Sequence, residues 1–257
     1  MEFKSKNPLL TGKSYEKSGQ QNVYSVDGSH IIDYNDTMTV KGTINKTFIL
    51  FGLLLVGAVV PFYMALNGIN PYIPGIVSLF VALGMVIACT LSPKNAAFLA
   101  PAYALFEGVF IGSVSIFFEM MYPGIVLQAV AGTLVTFGVC LALYRFGIVK
   151  VTEQFRSIVI GATAAIGTYY LISALFYWIG GVSFFHRGNS LMSIGFSVVV
   201  IVIAAMSLIL DFDMIDKGVK QRMPKHMEWF SGMGLIVTLV WLYLEFLRLL
   251  SKLQSRN

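Results

Sequence analysis

Seven long apolar segments constrain this chain more than any other feature. Each reaches the ~20 residues that a helix needs to cross the hydrocarbon core of a bilayer. The apolar runs are too continuous for the alternating strands of a membrane barrel. Only 12% of the residues are charged, against roughly 25% in soluble domains. We therefore predict an all-α integral membrane protein with seven transmembrane helices, at about residues 46–66, 73–91, 96–118, 124–144, 158–180, 190–212 and 231–250.

The chain divides into two parts by composition. Residues 1–43 are rich in Gly, Ser, Asn and mixed charges, and they carry too little apolar surface to fold alone. We interpret them as a polar N-terminal tail. Residues 44–257 contain all seven apolar segments and form the predicted membrane domain.

The basic residues predict the orientation. If the N-terminus is cytoplasmic, 14 of the 18 Lys and Arg residues fall on that side, as the positive-inside rule requires. The net charge of +5 is then a signal of topology, and we predict no nucleic-acid partner. Seven spans place the C-terminus outside, and the basic residues of the C-terminal segment run against the rule there (Arg248, Lys252, Arg256).

Acidic residues occur within or directly beside the predicted spans. Glu107 lies near the middle of the third span, and Asp211 and Asp213 close the sixth at its cytoplasmic end. Glu245 lies in the seventh span, three residues before Arg248. A charge at membrane depth costs about 2.5 kcal/mol or more, so such acids usually face protein or water. They are the candidate functional residues of this chain.

Two interpretations of these acids are open. In the first, Arg248 neutralises Glu245, because positions i and i+3 are neighbours on a helix, while Asp211 and Asp213 reach interfacial water. In the second, carboxylates of different helices converge. Two close carboxylates cannot both ionise cheaply, so such a pair holds one proton near neutral pH. When ionised, their oxygens suit Ca²⁺, and Asp213 and Glu107 become candidates for a cation or proton path.

The sequence lacks the common enzyme motifs. HExxH, GxSxG, Walker A and GxGxxG are all absent, and no lysine for a Schiff base lies within residues 231–250. The three histidines share no metal-ligand spacing (His30, His186, His226). We predict no enzymatic activity and no cofactor. Residues 216–228 form a basic hairpin, interpreted as a topology anchor or as a contact for anionic lipid headgroups.

Small residues and cysteines receive structural interpretations. Gly108 and Gly112 form a GxxxG motif, which lets helix backbones approach closely in lipid. The motif indicates packing inside one bundle, with a homodimer contact as the alternative, and the oligomeric state stays open. Cys89 and Cys140 lie in apolar segments and are expected to be buried, unpaired thiols.

Several segments, taken in order along the chain, resemble one family. Residues 210–215 (LDFDMI) resemble the YDxxxI end of the sixth helix in the Bax inhibitor-1, or transmembrane BAX inhibitor motif, family. Residues 242–250 (LYLEFLRLL) resemble its seventh-helix LYLDF signature, and residues 106–112 (FEGVFIG) its third-helix FxxG stretch. Residues 5–9 and 150–156 look like the bacterial YccA-like branch with a long polar tail. The resemblance covers roughly residues 40–250.

The resemblance implies a fold and a function. It implies a bundle with the last helix at the centre, in a bacterial plasma (inner) membrane, and a pH-sensitive Ca²⁺ leak. The implied gate and pH sensor are Asp211 and Glu245, where Ca²⁺ is the candidate permeant ion. For some bacterial members it implies modulation of a membrane protease instead.

Three features depart from the family pattern. Position 245 is Glu rather than Asp. The second span has no late arginine, and Lys94 is the nearest cation. A seventh helix starting near residue 231 puts Glu245 roughly 20 Å along it, far from Asp211, so Asp213 or Glu228 are alternative partners.

Two functional hypotheses follow. The first is a cation leak, for Ca²⁺, gated by protonation of Asp211 and Glu245. The second is a non-conducting regulator that binds another membrane protein, such as a quality-control protease, through residues 1–43. Deleting the tail distinguishes them, because a leak survives the deletion and partner capture does not. A third class, an intramembrane enzyme, lacks the nucleophile motifs that it would need.

Overall fold

Seven long helices form the described part of the chain. The computed structural model describes residues 24–26, 29–31, 37–180, 188 and 190–256. All seven helices are long and apolar enough to cross a membrane, so the predicted fold class is confirmed. They are α1 (Val40–Leu66), α2 (Tyr72–Leu91), α3 (Ala96–Met121), α4 (Ile125–Arg145), α5 (Glu153–Gly180), α6 (Leu191–Lys220) and α7 (Met227–Gln254), with a 3₁₀ turn at Pro93–Asn95 between α2 and α3.

The helices extend beyond the apolar segments that predicted them. Helix α1 begins at Val40 because the Thr39 side chain caps it, accepting a hydrogen bond from the Gly42 N–H at 2.9 Å. Helix α6 continues to Lys220, and α7 runs from Met227 to Gln254. Hydropathy detects the part of a helix that lies in hydrocarbon, whereas the helix itself continues into polar surroundings.

The segment before α1 contains a short hairpin. Strand β1 (Tyr24–Val26) pairs antiparallel with β2 (Ser29–Ile31), with Tyr24 opposite Ile31. Most of residues 1–36 lie outside the described part of the chain. The division at residue 43 stays a prediction, although α1 begins four residues before residue 44, where the membrane domain was predicted to begin.

Helices α1 and α3 approach each other through glycines. A Cβ on Gly108 would meet the Leu54 carbonyl oxygen of α1, and one on Gly112 would meet the Ala58 carbonyl oxygen. Gly57 of α1 faces the Leu105 carbonyl of α3 in the same way. The GxxxG motif is therefore used for packing inside the bundle, as the sequence indicated.

Helix α7 packs against four other helices, α1, α3, α4 and α6. One face of α7 joins a core with α1 to α4, built on Ile236, Tyr243 and Leu247, and this core includes Cys89. The opposite face joins a second core with α4 and α6, which includes Cys140. Both cysteines are buried and unpaired, as expected. The central position of the last helix stays a prediction that these contacts support.

The glycine contacts predict a stability difference between two matched substitutions. Gly108→Ala drives a methyl group into the α1 backbone, and overpacking of this kind costs about 1–3 kcal/mol. Gly138→Ala enters open space in α4 and replaces a poor helix former with the best one. We expect the free energy of unfolding in mixed micelles to fall in the first variant and to hold or rise in the second. Equal effects would contradict the packing account.

Candidate functional site

One face of α7 carries a row of polar side chains. Thr238, Glu245 and Lys252 are spaced by seven residues, which is two helical turns, so they lie on the same face. All three are buried. The apolar residues Leu235 and Leu242 share this face and belong to the core with α4 and α6. The α6–α7 interface is therefore a polar track interrupted by apolar side chains.

Asp211 faces this track from α6. Its carboxyl interacts with the Thr238 side chain. The Oδ2 atom is buried and has no hydrogen-bond partner among the described residues. Asp211 and Asp213 were predicted to close the sixth span, but the helix does not end there, because α6 continues nine residues beyond Asp211 to Lys220. Asp211 is thus an interior position of a long helix.

Glu245 is 1% exposed and is held by two neighbours. Arg248 Nη1 donates to Glu245 Oε1 at 2.6 Å, which confirms the predicted i to i+3 pair. The Tyr170 hydroxyl of α5 donates to the same carboxylate at 3.1 Å. The Arg248 guanidinium also lies 4.5 Å from the centre of the Tyr170 ring, an attractive cation–π geometry. The spacing along the sequence predicted Arg248 as a partner of Glu245, but nothing in the sequence indicated that Tyr170 contacts it.

A layer of leucine side chains, the leucine layer, separates Asp211 from Glu245. Asp211 meets α7 at Thr238, seven residues before Glu245, which is about 10 Å along the helix. Leu208 of α6 and Leu242 of α7 lie between these levels, and both are fully buried in the same core. In this conformation the two acids therefore act at separate depths, and no hydrogen bond joins them.

Asp213 belongs to an ion-pair network at the end of the bundle where α1 begins (the N-terminal end). Lys217 Nζ lies 2.7 Å from its Oδ2 atom, and Arg156 Nη2 of α5 lies 3.2 Å from the same atom. Asp213 is 13% exposed, so water screens these pairs partly. Its place on a cation path stays a prediction.

Glu228 joins the start of α1 to the start of α7. Lys46 Nζ lies 2.5 Å from Glu228 Oε2, and the Thr39 N–H and hydroxyl both donate to Oε1 at 2.9 Å. Glu228 is thus satisfied by α1 and does not contact Asp211 or Glu245. Met38 N–H donates to the Met223 carbonyl at 2.7 Å, so the segment before α1 is fixed to the α6–α7 loop.

Glu107 and Lys94 stand apart from the track. Glu107 is buried on α3, one turn after Tyr103, and no cation of the described residues forms an ion pair with it. Lys94 is exposed on the turn between α2 and α3 and takes part in none of the ion pairs in the described ranges. Lys94 is therefore not a charge partner of Asp211 or of Glu245 in this structure.

Lys252 is a polar residue of the track that the sequence analysis missed. The last predicted span ends at residue 250, but α7 continues to Gln254 and Lys252 is only 4% exposed. Its ammonium donates to the Ser197 hydroxyl at 2.7 Å and to the Ser193 carbonyl at 3.1 Å. Its spacing of seven residues from Glu245 could have predicted that both side chains lie on the same face of α7.

The residues do not fit a resident Ca²⁺ ion in this conformation. Ca²⁺ takes 6–8 oxygen ligands, and the described residues contain no group of three or more His, Cys, Asp or Glu side chains that could hold a metal. His186 lies outside those residues. The separation of Asp211 from Glu245 also prevents a shared site, which leaves Ca²⁺ as a candidate transported ion only.

A seven-helix membrane protein with acids buried between its last two helices is the class that this geometry defines. A family model described as Bax inhibitor 1 like matches residues 7–255. The match spans nearly the whole chain, so the protein belongs to the Bax inhibitor 1 like family. No curated protein matches the chain.

The buried Glu245–Arg248 pair predicts a double-mutant result. Arg248→Gln leaves a buried carboxylate without its cation. The cost lies between ~1 kcal/mol for an exposed pair and ~3–5 kcal/mol for a buried one, because Arg248 is 35% exposed. Adding Glu245→Gln removes the stranded charge and restores most of the stability. Additive losses in the free energy of unfolding would show that the two side chains act independently.

Proposed function

We propose that this protein is a proton-gated leak for cations, with Ca²⁺ as the candidate ion, and that Asp211 and Glu245 are its gate. The observation that carries the proposal is the polar track of the α6–α7 interface. This interface holds two carboxyl groups at different depths, those of Asp211 and Glu245. The fully buried leucine layer lies between them. Membership of the Bax inhibitor 1 like family supports a membrane function of this type.

The proposed closed state depends on the leucine layer. Leu208 and Leu242 are fully buried between the levels of Asp211 and Glu245, and hydrophobic constrictions stop ions by excluding water. A hydrated cation crosses only when α6 and α7 separate at this level. Acidic side chains on both sides of the layer would then replace part of the hydration shell, because carboxylate oxygens suit hard cations.

Protonation is coupled to this separation through two different contacts. The Oδ2 atom of Asp211 is buried without a partner, and an unpaired charge there is costly. Separation of the helices admits water to the carboxylate and removes that cost. Protonation of Glu245 acts at the other level, because it removes the charge that holds Arg248. The two acids thus respond to pH at different contacts, Asp211 at the α6–α7 interface and Glu245 at its bonds to Arg248 of the same helix and to Tyr170 of α5.

The orientation is part of the proposal. With the N-terminus in the cytoplasm, 14 of 18 Lys and Arg residues lie on that side, as the positive-inside rule requires. We assign the protein to a bacterial inner membrane with α1 entering from the cytoplasm. The Asp213 network then lies at the cytoplasmic mouth of the track and Lys252 at the outer one.

The direct test is Ca²⁺ flux into proteoliposomes that contain the purified protein, scanned from about pH 5 to 8, a range in which buried carboxyl groups can titrate. We expect protein-dependent flux that varies with pH, and we expect Asp211→Asn and Glu245→Gln each to abolish the variation. Glu153→Gln, an exposed acid in the first turn of α5, is the control and keeps it. Flux equal to that of empty liposomes, or unchanged pH dependence in both gate variants, would overturn the proposal.

The leucine layer predicts a gain of flux. Leu242→Ala removes side-chain volume between the two acids, so we expect the Ca²⁺ flux at the least active pH to rise severalfold. Leu50→Ala is the matched control, because Leu50 is also fully buried but lies in the other core. Both substitutions should cost about 2–5 kcal/mol of stability. An equal rise in both variants would indicate general loosening rather than a gate.

A second candidate function is a non-conducting regulator that captures a membrane protease through its N-terminal tail. One observation favours it: Met38 and Thr39 fix the end of the tail to the α6–α7 loop and to Glu228. A partner that pulls on the tail would therefore act on the two helices of the track.

Deleting residues 1–36 separates the two functions and keeps the contacts of Met38 and Thr39. Under the leak proposal, the truncated protein keeps its pH-dependent flux in proteoliposomes. Under the regulator alternative, neither form conducts, and only the full-length chain co-purifies with the protease.

A further inference from the structure

A cavity at the C-terminal end of the bundle is lined by two positively charged side chains. The gating proposal uses only one of them. It has a volume of about 460 Å³ and lies between the ends of α3, α5 and α7. Arg248 and Lys252 of α7 both line it. We propose that this cavity is a binding site for a phosphate group, with the headgroup of an anionic lipid as its source.

The charge balance of the cavity is positive. Arg248 and Lys252 are four residues apart on α7, and like charges at this spacing repel. Glu245 is a neighbouring carboxylate, and it is already engaged by Arg248 and Tyr170. Lys252 is buried with two neutral acceptors, so it has no carboxylate of its own. An anion in the cavity would offset this excess of positive charge.

Donors for a phosphate remain in the cavity. An ammonium group has three protons, and the two acceptors of Lys252 account for two of them. Arg248 bonds Glu245 through Nη1 and also interacts with the Tyr170 hydroxyl, but a guanidinium presents five donors in a fork that matches phosphate oxygens. The cavity therefore offers both point charge and directed hydrogen bonds.

Ser173 of α5 provides an independent indication of a ligand. Its hydroxyl is buried and has no hydrogen-bond partner among the described residues, and Ser173 lines the same cavity. Leaving a buried polar group unsatisfied costs about 1–3 kcal/mol. A phosphate oxygen in the cavity would accept its proton and remove this cost.

The surroundings favour a lipid as the source of the phosphate. The cavity lies where α3 and α7 end, which is the depth of the headgroups for helices of this length. Phe117 and Met121 of α3, and Tyr122 directly after it, also line the cavity. Such a wall suits the glycerol and acyl stem of a lipid, and Tyr is typical of this interface. A zwitterionic headgroup adds a cation of its own, which Arg248 and Lys252 would repel.

The test compares phosphate sources on the purified full-length protein in neutral detergent. Native mass spectrometry measures the affinity for added phosphatidylglycerol and for phosphatidylcholine, and titration calorimetry measures the affinity for inorganic phosphate. We expect phosphatidylglycerol to bind at least about tenfold more tightly than phosphatidylcholine. Tight binding of inorganic phosphate without lipid retention would keep the phosphate site and overturn the lipid source. Binding of none of the three probes would overturn the site.

Three variants test the assignment of residues. Lys252→Gln removes the buried charge, and Ser173→Ala removes only a hydroxyl that has no hydrogen-bond partner among the described residues. Each should weaken phosphatidylglycerol binding by about tenfold, the usual effect of losing a hydrogen bond to a charged group. Arg256→Gln removes the same charge from an exposed position near the same end and should bind like the wild type. Equal losses in all three variants would show that binding is a general effect of surface charge.

Discussion

The arrangement of this protein depends on one constraint: a charge at membrane depth must find its compensation inside the protein. Glu245 is 1% exposed and finds it in Arg248 and Tyr170. Lys252 is 4% exposed and finds it in the polar atoms of Ser193 and Ser197 on α6. These contacts hold α5, α6 and α7 together at defined heights. Within the described ranges, Asp211 and Ser173 each have a buried oxygen without a hydrogen-bond partner, and at these places the structure leaves room for a change of state or for a ligand.

The rest of the bundle provides a rigid frame for this interface. Glycines bring the α1 and α3 backbones into close contact, and α7 packs against the resulting pair with its other face. Glu228 and Lys46 fasten the start of α7 to α1. Helix α5, by contrast, packs on α6 and contributes Tyr170 to the Glu245 site. The two faces of α7 thus have different roles, one in packing and one in the polar track.

The sequence predicted the number of helices and the class of protein, because long apolar segments have few alternatives in a bilayer. It also predicted the Glu245–Arg248 pair, which depends only on local helix geometry. It misplaced Asp211 at a helix end, because hydropathy does not detect a helix that continues through polar residues to Lys220. Tyr170 and Thr238 were not predicted, since contacts between helices depend on rotation and register that a single sequence does not encode. Lys252 was missed because the last span was ended two residues too early.

The central claim is that the leucine layer between Asp211 and Glu245 opens when the protein conducts. The most direct measurement is the rate at which a small charged thiol reagent modifies Leu242→Cys in proteoliposomes, in a background with Cys89→Ala and Cys140→Ala. The account predicts almost no modification at the pH of least Ca²⁺ flux and rapid modification at the pH of greatest flux. Adding Asp211→Asn should remove this difference. Strong pH-dependent flux through a protein whose residue 242 stays unreactive at every pH would contradict the account.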